Sequence, residues 1–280
     1  MSSRRNFLKT TALGISAAGV LPVFAKTLPN KSPAPQSELL HVGVAGYTFH
    51  NLNVDQSIAI LKQVDVNAIS IKDFHLPLDS SPEKITEVLG KFHEAGIEVY
   101  AAGVIYMKSE AEIDRTFDYA KRIGVNMIVG VPNYELLGYA EQKVKLTNIR
   151  LAIHNHGPED KLYPGPKDVY DRVKNLDNRI GLCFDIGHGA RAGADPAKSV
   201  IEFGPRIFDM HIKDVTADGT GERAIQMGRG TIDFPALVSA LKKIEYSGRC
   251  SIEFEMNVQD PLPGLAESVG YFRGVMKTLS

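Results

Sequence analysis

The sequence predicts an α/β fold, a single (β/α)8 TIM barrel over residues 39–280, and three observations carry that expectation. From residue 41 onward, short apolar runs alternate with stretches whose apolar residues recur at helical spacing, eight times without a break. Alternation of this kind builds a parallel sheet, and eight uninterrupted units argue for closing it into a barrel. The length agrees, because the alternating part of the 280-residue chain is close to the about 250 residues such a barrel needs. Finally, four apolar runs end in His, Asp, Lys or Glu, and barrels of this type carry their chemistry at the C-terminal ends of their strands.

The first 38 residues stand apart. Arg4 and Arg5 precede an apolar stretch, 11–24, that is short for a bilayer span, and Val23-Phe24-Ala25 offers a small-residue cleavage site. Together residues 1–25 resemble a twin-arginine export signal, which implies the twin-arginine export machinery as a partner and a periplasmic or exported location. Residues 26–38 hold three prolines and little apolar content, the composition of a linker.

The barrel elements follow in order. The first strand is expected at 41–47, with a helix at 54–64 opened by Asn53. The second strand, 67–71, runs into Lys72-Asp73-Phe74-His75. Ser81 is an N-cap and Pro82 the first position of a helix that Gly96 stops. The third strand is 97–102, followed by a helix over 109–123; the fourth is 125–131, followed by a helical stretch to residue 148. The fifth strand is 149–154 and its helix 167–176. The sixth, 180–185, ends at Asp185, and a loop is expected to bring His188 back over the strand end. A short helix at 196–203 with Asp195 as cap, a seventh strand at 207–212, a helix at 234–244, an eighth strand at 250–254 and a helix at 265–279 complete the chain.

A formal net charge of −1 gives no electrostatic case for nucleic acid or an anionic membrane. No Gly-rich dinucleotide fingerprint follows a strand. Of the two cysteines, Cys183 shares a strand face with Asp185, while Cys250 takes the face opposite Glu253. The two are therefore expected to be free, buried thiols.

The polar residues at the strand ends are the candidate site. Strand two supplies Lys72, Asp73 and His75; strand five His154, Asn155, His156 and Glu159; strand six Asp185 and His188. Strand seven supplies His211, Lys213 and Asp214, and strand eight Glu253 and Glu255. Period two places His154 with His156, His211 with Lys213, and Glu253 with Glu255 on shared faces. Lys213 and Asp214, adjacent in sequence, have a pairing of their own as the plainer expectation. Mixed imidazole and carboxylate donors suit one divalent ion, Mn, Zn, Co or Fe before Mg, held by Asp185, His211 and Glu253.

Five segments in this order resemble the sugar phosphate isomerase/epimerase family of xylose-isomerase-like barrels. They are Ile153-His-Asn-His-Gly157 with Glu159, Cys183-Phe-Asp-Ile-Gly-His188, Asp209-Met-His-Ile-Lys-Asp214, Gly228-Arg-Gly-Thr-Ile-Asp233 and Ser251-Ile-Glu-Phe-Glu255. The resemblance spans residues 41–278. It implies that Asp185, His211 and Glu253 are metal ligands, that His188 holds a substrate oxygen, and that the loop at Gly228 lines the substrate side. Where the family has a strand-five Glu, this chain has His154, which leaves three readings: His154 ligates through neutral imidazole, His154 or His156 is the base, or Glu159 folds back to the metal.

The activity so implied is a metal-dependent isomerisation or epimerisation, by proton abstraction next to a carbonyl, on a sugar or keto-sugar. Glu253, His154 or His156 would move the proton, and His188, Lys72, His75, Lys213, Glu159 and Gly228 would contact the substrate. Two alternatives stay open: a lyase or dehydratase acting on keto-glycosides or inososes, and a periplasmic sugar-binding barrel without catalysis. The sequence leaves a homo-oligomer open and gives no basic groove for nucleic acid.

Overall fold

The apolar runs become strands that are buried on both faces, as the walls of a helix-wrapped barrel must be. A computed structural model describes residues 40–216 and 223–279, so the expected export signal and linker lie outside the described residues. The strands are β1 (His41–Ala45), β2 (Ala68–Ile71), β3 (Glu98–Met107), β4 (Met127–Pro132), β5 (Arg150–His154), β6 (Ile180–Asp185), β7 (Ile207–Ile212), β8 (Asp214–Val215), β9 (Ala224–Ile225) and β10 (Arg249–Ile252). Eight of them close a parallel barrel in the order β1-β10-β7-β6-β5-β4-β3-β2, while β8 and β9 pair antiparallel beside it. The fold class read from the sequence is the one observed.

The helices are α1 (Val54–Gln63), α2 (Pro82–Glu94), α3 (Glu110–Ile123), α4 (Leu137–Thr147), α5 (Pro166–Val173), α6 (Ile186–Arg191), α7 (Pro196–Phe203), α8 (Phe234–Lys243) and α9 (Leu262–Thr278). Their starts follow side-chain chemistry. Asn53 and Gln56 form a reciprocal capping box on α1, and Ser81, Ser109, Asp195 and Asp233 each accept the third amide of their helix. Caps of this kind are each worth about 1 kcal/mol. Inward faces such as Ile113, Phe117, Ala120 and Ile123 of α3 pack on the barrel wall at helical spacing.

Four details depart from the sequence expectation. β3 continues to Met107, because a register shift at Gly103 lets the apolar run 104–107 stay in the sheet. The segment after β6 is the short helix α6 and not a loop, with the Asp185 carboxylate accepting the His188 amide as its cap at 2.7 Å. The β8/β9 pair was not foreseen, since two-residue strands carry no readable periodicity. The last helix begins at Leu262, three residues before the expected start at 265. Both cysteines are buried and free, as expected.

Inside the barrel, Tyr100 donates its hydroxyl to Asp209 at 2.8 Å and also contacts Ser251. This buried network forms a floor, one pleat below the residues at the strand ends. Burial is the main influence on Asp209 and pushes its carboxyl up to about 6.

Candidate active site

Sheet register places the chemistry. His154 at the end of β5 lies beside Cys183, Asp185 at the end of β6 lies beside His211, and His211 lies beside Ser251 of β10. Glu253 follows immediately, held in line by its amide on the Ile212 carbonyl at 3.1 Å. Two further side chains lock these strand ends. Asn155 makes a reciprocal pair with the Asp185 backbone, 3.0 Å in each direction. Thr48 bridges the Ile252 carbonyl and the Phe254 amide, which fixes the backbone on either side of Glu253.

The result is a buried four-residue cluster. One donor atom from each of His154, Asp185, His211 and Glu253 lies within 4.8 Å of the other three. His154 Nε2 is 3.0 Å from His211 Nδ1 and 3.5 Å from Asp185 Oδ2, and His211 Nδ1 is 3.4 Å from Glu253 Oε1. His211 Nε2 is buried with no hydrogen-bond partner, and Asp185 Oδ2 makes no bond of good geometry. Orphaned donors and acceptors at such depth are costly unless something else satisfies them. Two imidazoles and two carboxylates fit a divalent ion of the Mn, Zn, Co or Fe type.

Lys213 stands against this cluster and is almost completely buried. Its ammonium contacts Asp185 Oδ2 at 3.0 Å, Glu253 Oε2 at 2.8 Å, Glu255, and His188 Nε2 at 3.2 Å. Three carboxylates thus surround one ammonium, so the pocket is short of positive charge. The plainer expectation of a Lys213–Asp214 pair fails for a structural reason. Asp214 is turned away and accepts the amides of Val215, Gly228, Gly230 and Ile232. The Lys213 stem passes beneath Gly187, where a Cβ would sit 2.5 Å from Lys213 Cγ.

The electrostatics follow from depth and neighbours. Burial works to raise the Asp185 and Glu253 carboxyls, but Lys213, with His188 at Asp185 and His211 at Glu253, outweighs it and holds both below the usual carboxylate range. Glu255 goes the other way: burial pushes it up to about 7 against the pull of Lys213. Burial lowers His154 and His188 to about 4 and His156 to about 3, so these imidazoles are neutral near pH 7. Burial opposes the charge on His211, and Glu253 prevails and raises it. The same contest at Lys213 is won by Asp185, Glu253 and Glu255, so it stays an ammonium.

A cavity of about 370 Å3 opens above the cluster, lined by Tyr47, Lys72, Val104, Tyr106, His154, His156, His188, Glu253 and Glu255. Of the sequence-predicted residues, His154, His156, Asp185, His188, His211, Lys213 and Glu253 come together here, and Lys72 reaches the wall while donating to the Val104 carbonyl at 2.7 Å. Three do not join them. His75 is packed between Phe49 and Phe74 with its Nε2 on the Ser57 hydroxyl at 3.1 Å. Glu159 pairs with Arg191 on the exposed side of the mouth, away from the cluster. Gly228 is tied to Asp214 and faces the Tyr271 ring.

The sequence reading places Glu255 and Asn155 among the strand-end candidates without assigning either a specific role, and it does not include Tyr47, Tyr106 or Thr48. Glu255 was visible through its period-two relation to Glu253. Tyr106 was hidden because the third strand was expected to stop at residue 102. Thr48 and Asn155 act through backbone contacts that no spacing rule reveals.

Known proteins agree with this architecture. Residues 58–275 match the family model described as a xylose isomerase-like TIM barrel. Over 128 residues the chain is 30% identical to the rhizopine catabolism protein MocC of Rhizobium meliloti, a match covering 40% of this chain and 38% of that protein. The chain therefore spans about two-fifths of the length of this curated relative. An uncharacterised protein from Parabacteroides distasonis superposes with a TM-score of 0.67 at 26% identity, over 86% of this chain and 100% of that one. The IolI protein, solved with a bound zinc atom, superposes with a TM-score of 0.71 at 19% identity, over 85% and 99% of the two chains. The chain belongs to the xylose isomerase-like TIM barrel family.

Proposed function

We propose that this protein is a metal-dependent sugar or keto-sugar isomerase or epimerase that moves a proton next to a carbonyl. The observation that carries the reading is the convergence of His154, Asp185, His211 and Glu253 within 4.8 Å, with an unsatisfied imidazole nitrogen, at the floor of an aromatic-walled cavity. These four residues would hold one divalent ion. A bound ion of this kind supplies Lewis acidity to carbonyl and hydroxyl oxygens.

The chain's own residues do the rest. His154 and Glu253 are engaged within the cluster, which leaves His156 and Glu255 as the proton-moving groups that border the cavity. Glu255, pushed up to about 7, is the group matched to taking a proton near neutral pH, and His156, a neutral and weakly basic imidazole with its Nε2 3.1 Å from the Tyr106 hydroxyl, can relay one. Glu255 stands near the Lys213 ammonium, which orients its carboxylate. Lys72 and His188 border the same cavity and can hold substrate hydroxyls. Export to the periplasm, proposed from the twin arginines at 4 and 5, directs the reading towards an unphosphorylated sugar.

The test is to incubate metal-loaded protein with a panel of aldoses, ketoses and keto-sugars in deuterated water. Deuterium entering the carbon beside the carbonyl without loss of water supports isomerisation or epimerisation. An unsaturated product assigns the barrel to the lyases, and saturable binding with no exchange on any sugar leaves only a sugar-binding protein.

A further inference from the structure

Glu253 and Asp185 each face two ways. Glu253 turns Oε1 to His211 Nδ1 at 3.4 Å, inside the four-residue cluster, and Oε2 to the Lys213 ammonium at 2.8 Å, outside it. Asp185 Oδ2 lies 3.5 Å from His154 Nε2 and 3.0 Å from the same ammonium. His188 Nε2 at 3.2 Å and a Glu255 oxygen complete the surroundings of Lys213 Nζ. Two carboxylates therefore bridge two positions. The first lies among His154, Asp185, His211 and Glu253, and the second is the place of the Lys213 nitrogen.

The second position has the donor set of a metal site in its own right. One donor atom from each of His188, Glu253 and Glu255 lies within 4.8 Å of the other two. Three carboxylates with an imidazole suit the same class of divalent ion as the first cluster. Carboxylates shared between adjacent donor sets are the layout of centres that hold two ions side by side. Here an ammonium that is almost completely buried fills the second place. Its stem is enclosed as well, because even a methyl at Gly187 would sit 2.5 Å from Lys213 Cγ. His188, Glu253 and Glu255 border the substrate cavity and Lys213 does not, so Lys213 acts through the residues it holds.

We propose that the Lys213 ammonium is a built-in second cation, which occupies the place of a second metal ion and limits this barrel to one. This rests on the one-ion cluster proposed above. Lys213 is a positioning residue. As a compact charge with three N–H donors, it aligns His188 and Glu255 at the cavity wall and neutralises the bridging carboxylates, as a second ion would.

The test counts metal in the full-length chain and its variants after loading with Mn or Zn and removal of excess, with unfolding midpoints measured with and without the ion. Wild type is expected to hold one ion. Lys213→Ala removes the ammonium and its stem but keeps the four donors, and it is expected to hold two. Its midpoint is expected to lie below that of wild type without metal and to rise further than wild type on loading. Adding Glu255→Gln or His188→Ala to Lys213→Ala is expected to return the count to one, because these residues belong to the second position and not to the four-residue cluster. One ion or none in folded Lys213→Ala, a variant that stays unfolded with the ion present, two ions kept by both double variants, or two ions in wild type overturns the proposal. No ion in wild type, beside one in Lys213→Ala that is lost with Glu255→Gln, would sustain the second position while refuting the one-ion cluster.

Discussion

At the scale of single residues, position relative to Lys213 divides the acidic groups into two kinds. Asp185 and Glu253 are held ionised by that ammonium and point into the four-residue cluster, whereas Glu255 is pushed up to about 7 by burial and borders the cavity. Removing a proton-moving group should therefore spare metal binding. His156→Ala and Glu255→Gln are expected to keep the metal content of the wild type while losing about 100-fold or more in proton-exchange rate, the usual contribution of a general acid or base. Metal analysis beside an exchange assay checks both halves. Gly187 illustrates a purely steric demand. An Ala there puts a methyl 2.5 Å from Lys213 Cγ, and Gly187→Ala is expected to destabilise the fold by about 1–3 kcal/mol in thermal or denaturant unfolding. The ligand candidates were legible because strand-end carboxylates and histidines recur with period two. Their sorting into ligand and proton carrier was not, because it depends on a lysine whose contacts come from two other strand ends and from α6.

At the scale of elements, the barrel strands and most helix starts were readable from local chemistry. Asn53, Ser81, Asp195 and Pro82 announce their helices, and burial on both faces makes each strand a continuous apolar run. What escaped was partly local and partly tertiary. The short helix α6 in place of the loop expected after Asp185 has a local cause, the Asp185 carboxylate capping the His188 amide three residues on, which its place at a strand end obscures. At the start of β8, Asp214 gathers four amides, that of Val215 and three from the 228–232 loop. Asp214→Ala removes that hub, and leaving such buried amides unpaired costs about 1–3 kcal/mol each where water cannot replace the carboxylate. The variant is expected to lower the unfolding midpoint and to raise amide hydrogen exchange at 215 and 228–232 before the barrel strands respond. Protection unchanged in those amides would show that the pair stands without Asp214.

At the scale of the whole molecule, a barrel that buries neutral histidines is sensitive to acid. His75, outside the catalytic cluster, is lowered to about 4 by burial, with Asp73 opposing. The unfolded chain takes up that proton near pH 6.5, so the folded state is fully favoured above 6.5 and loses the margin as pH falls towards 4. His75→Gln is expected to flatten the stability profile over that window relative to wild type, as read by unfolding midpoints at pH 7, 6, 5 and 4.5; parallel profiles would remove His75 from the account. The same fold sets three carboxylates and one imidazole around the Lys213 ammonium and packs two more imidazoles against two of those carboxylates, an arrangement that makes sense when a divalent ion completes it. The most direct measurement is the metal stoichiometry of purified wild-type protein beside Asp185→Ala and His211→Ala, after loading with Mn, Zn, Co or Fe and removal of excess. The account expects close to one tightly held ion per chain in the wild type and almost none in either folded variant. Equal metal content in all three proteins would contradict it.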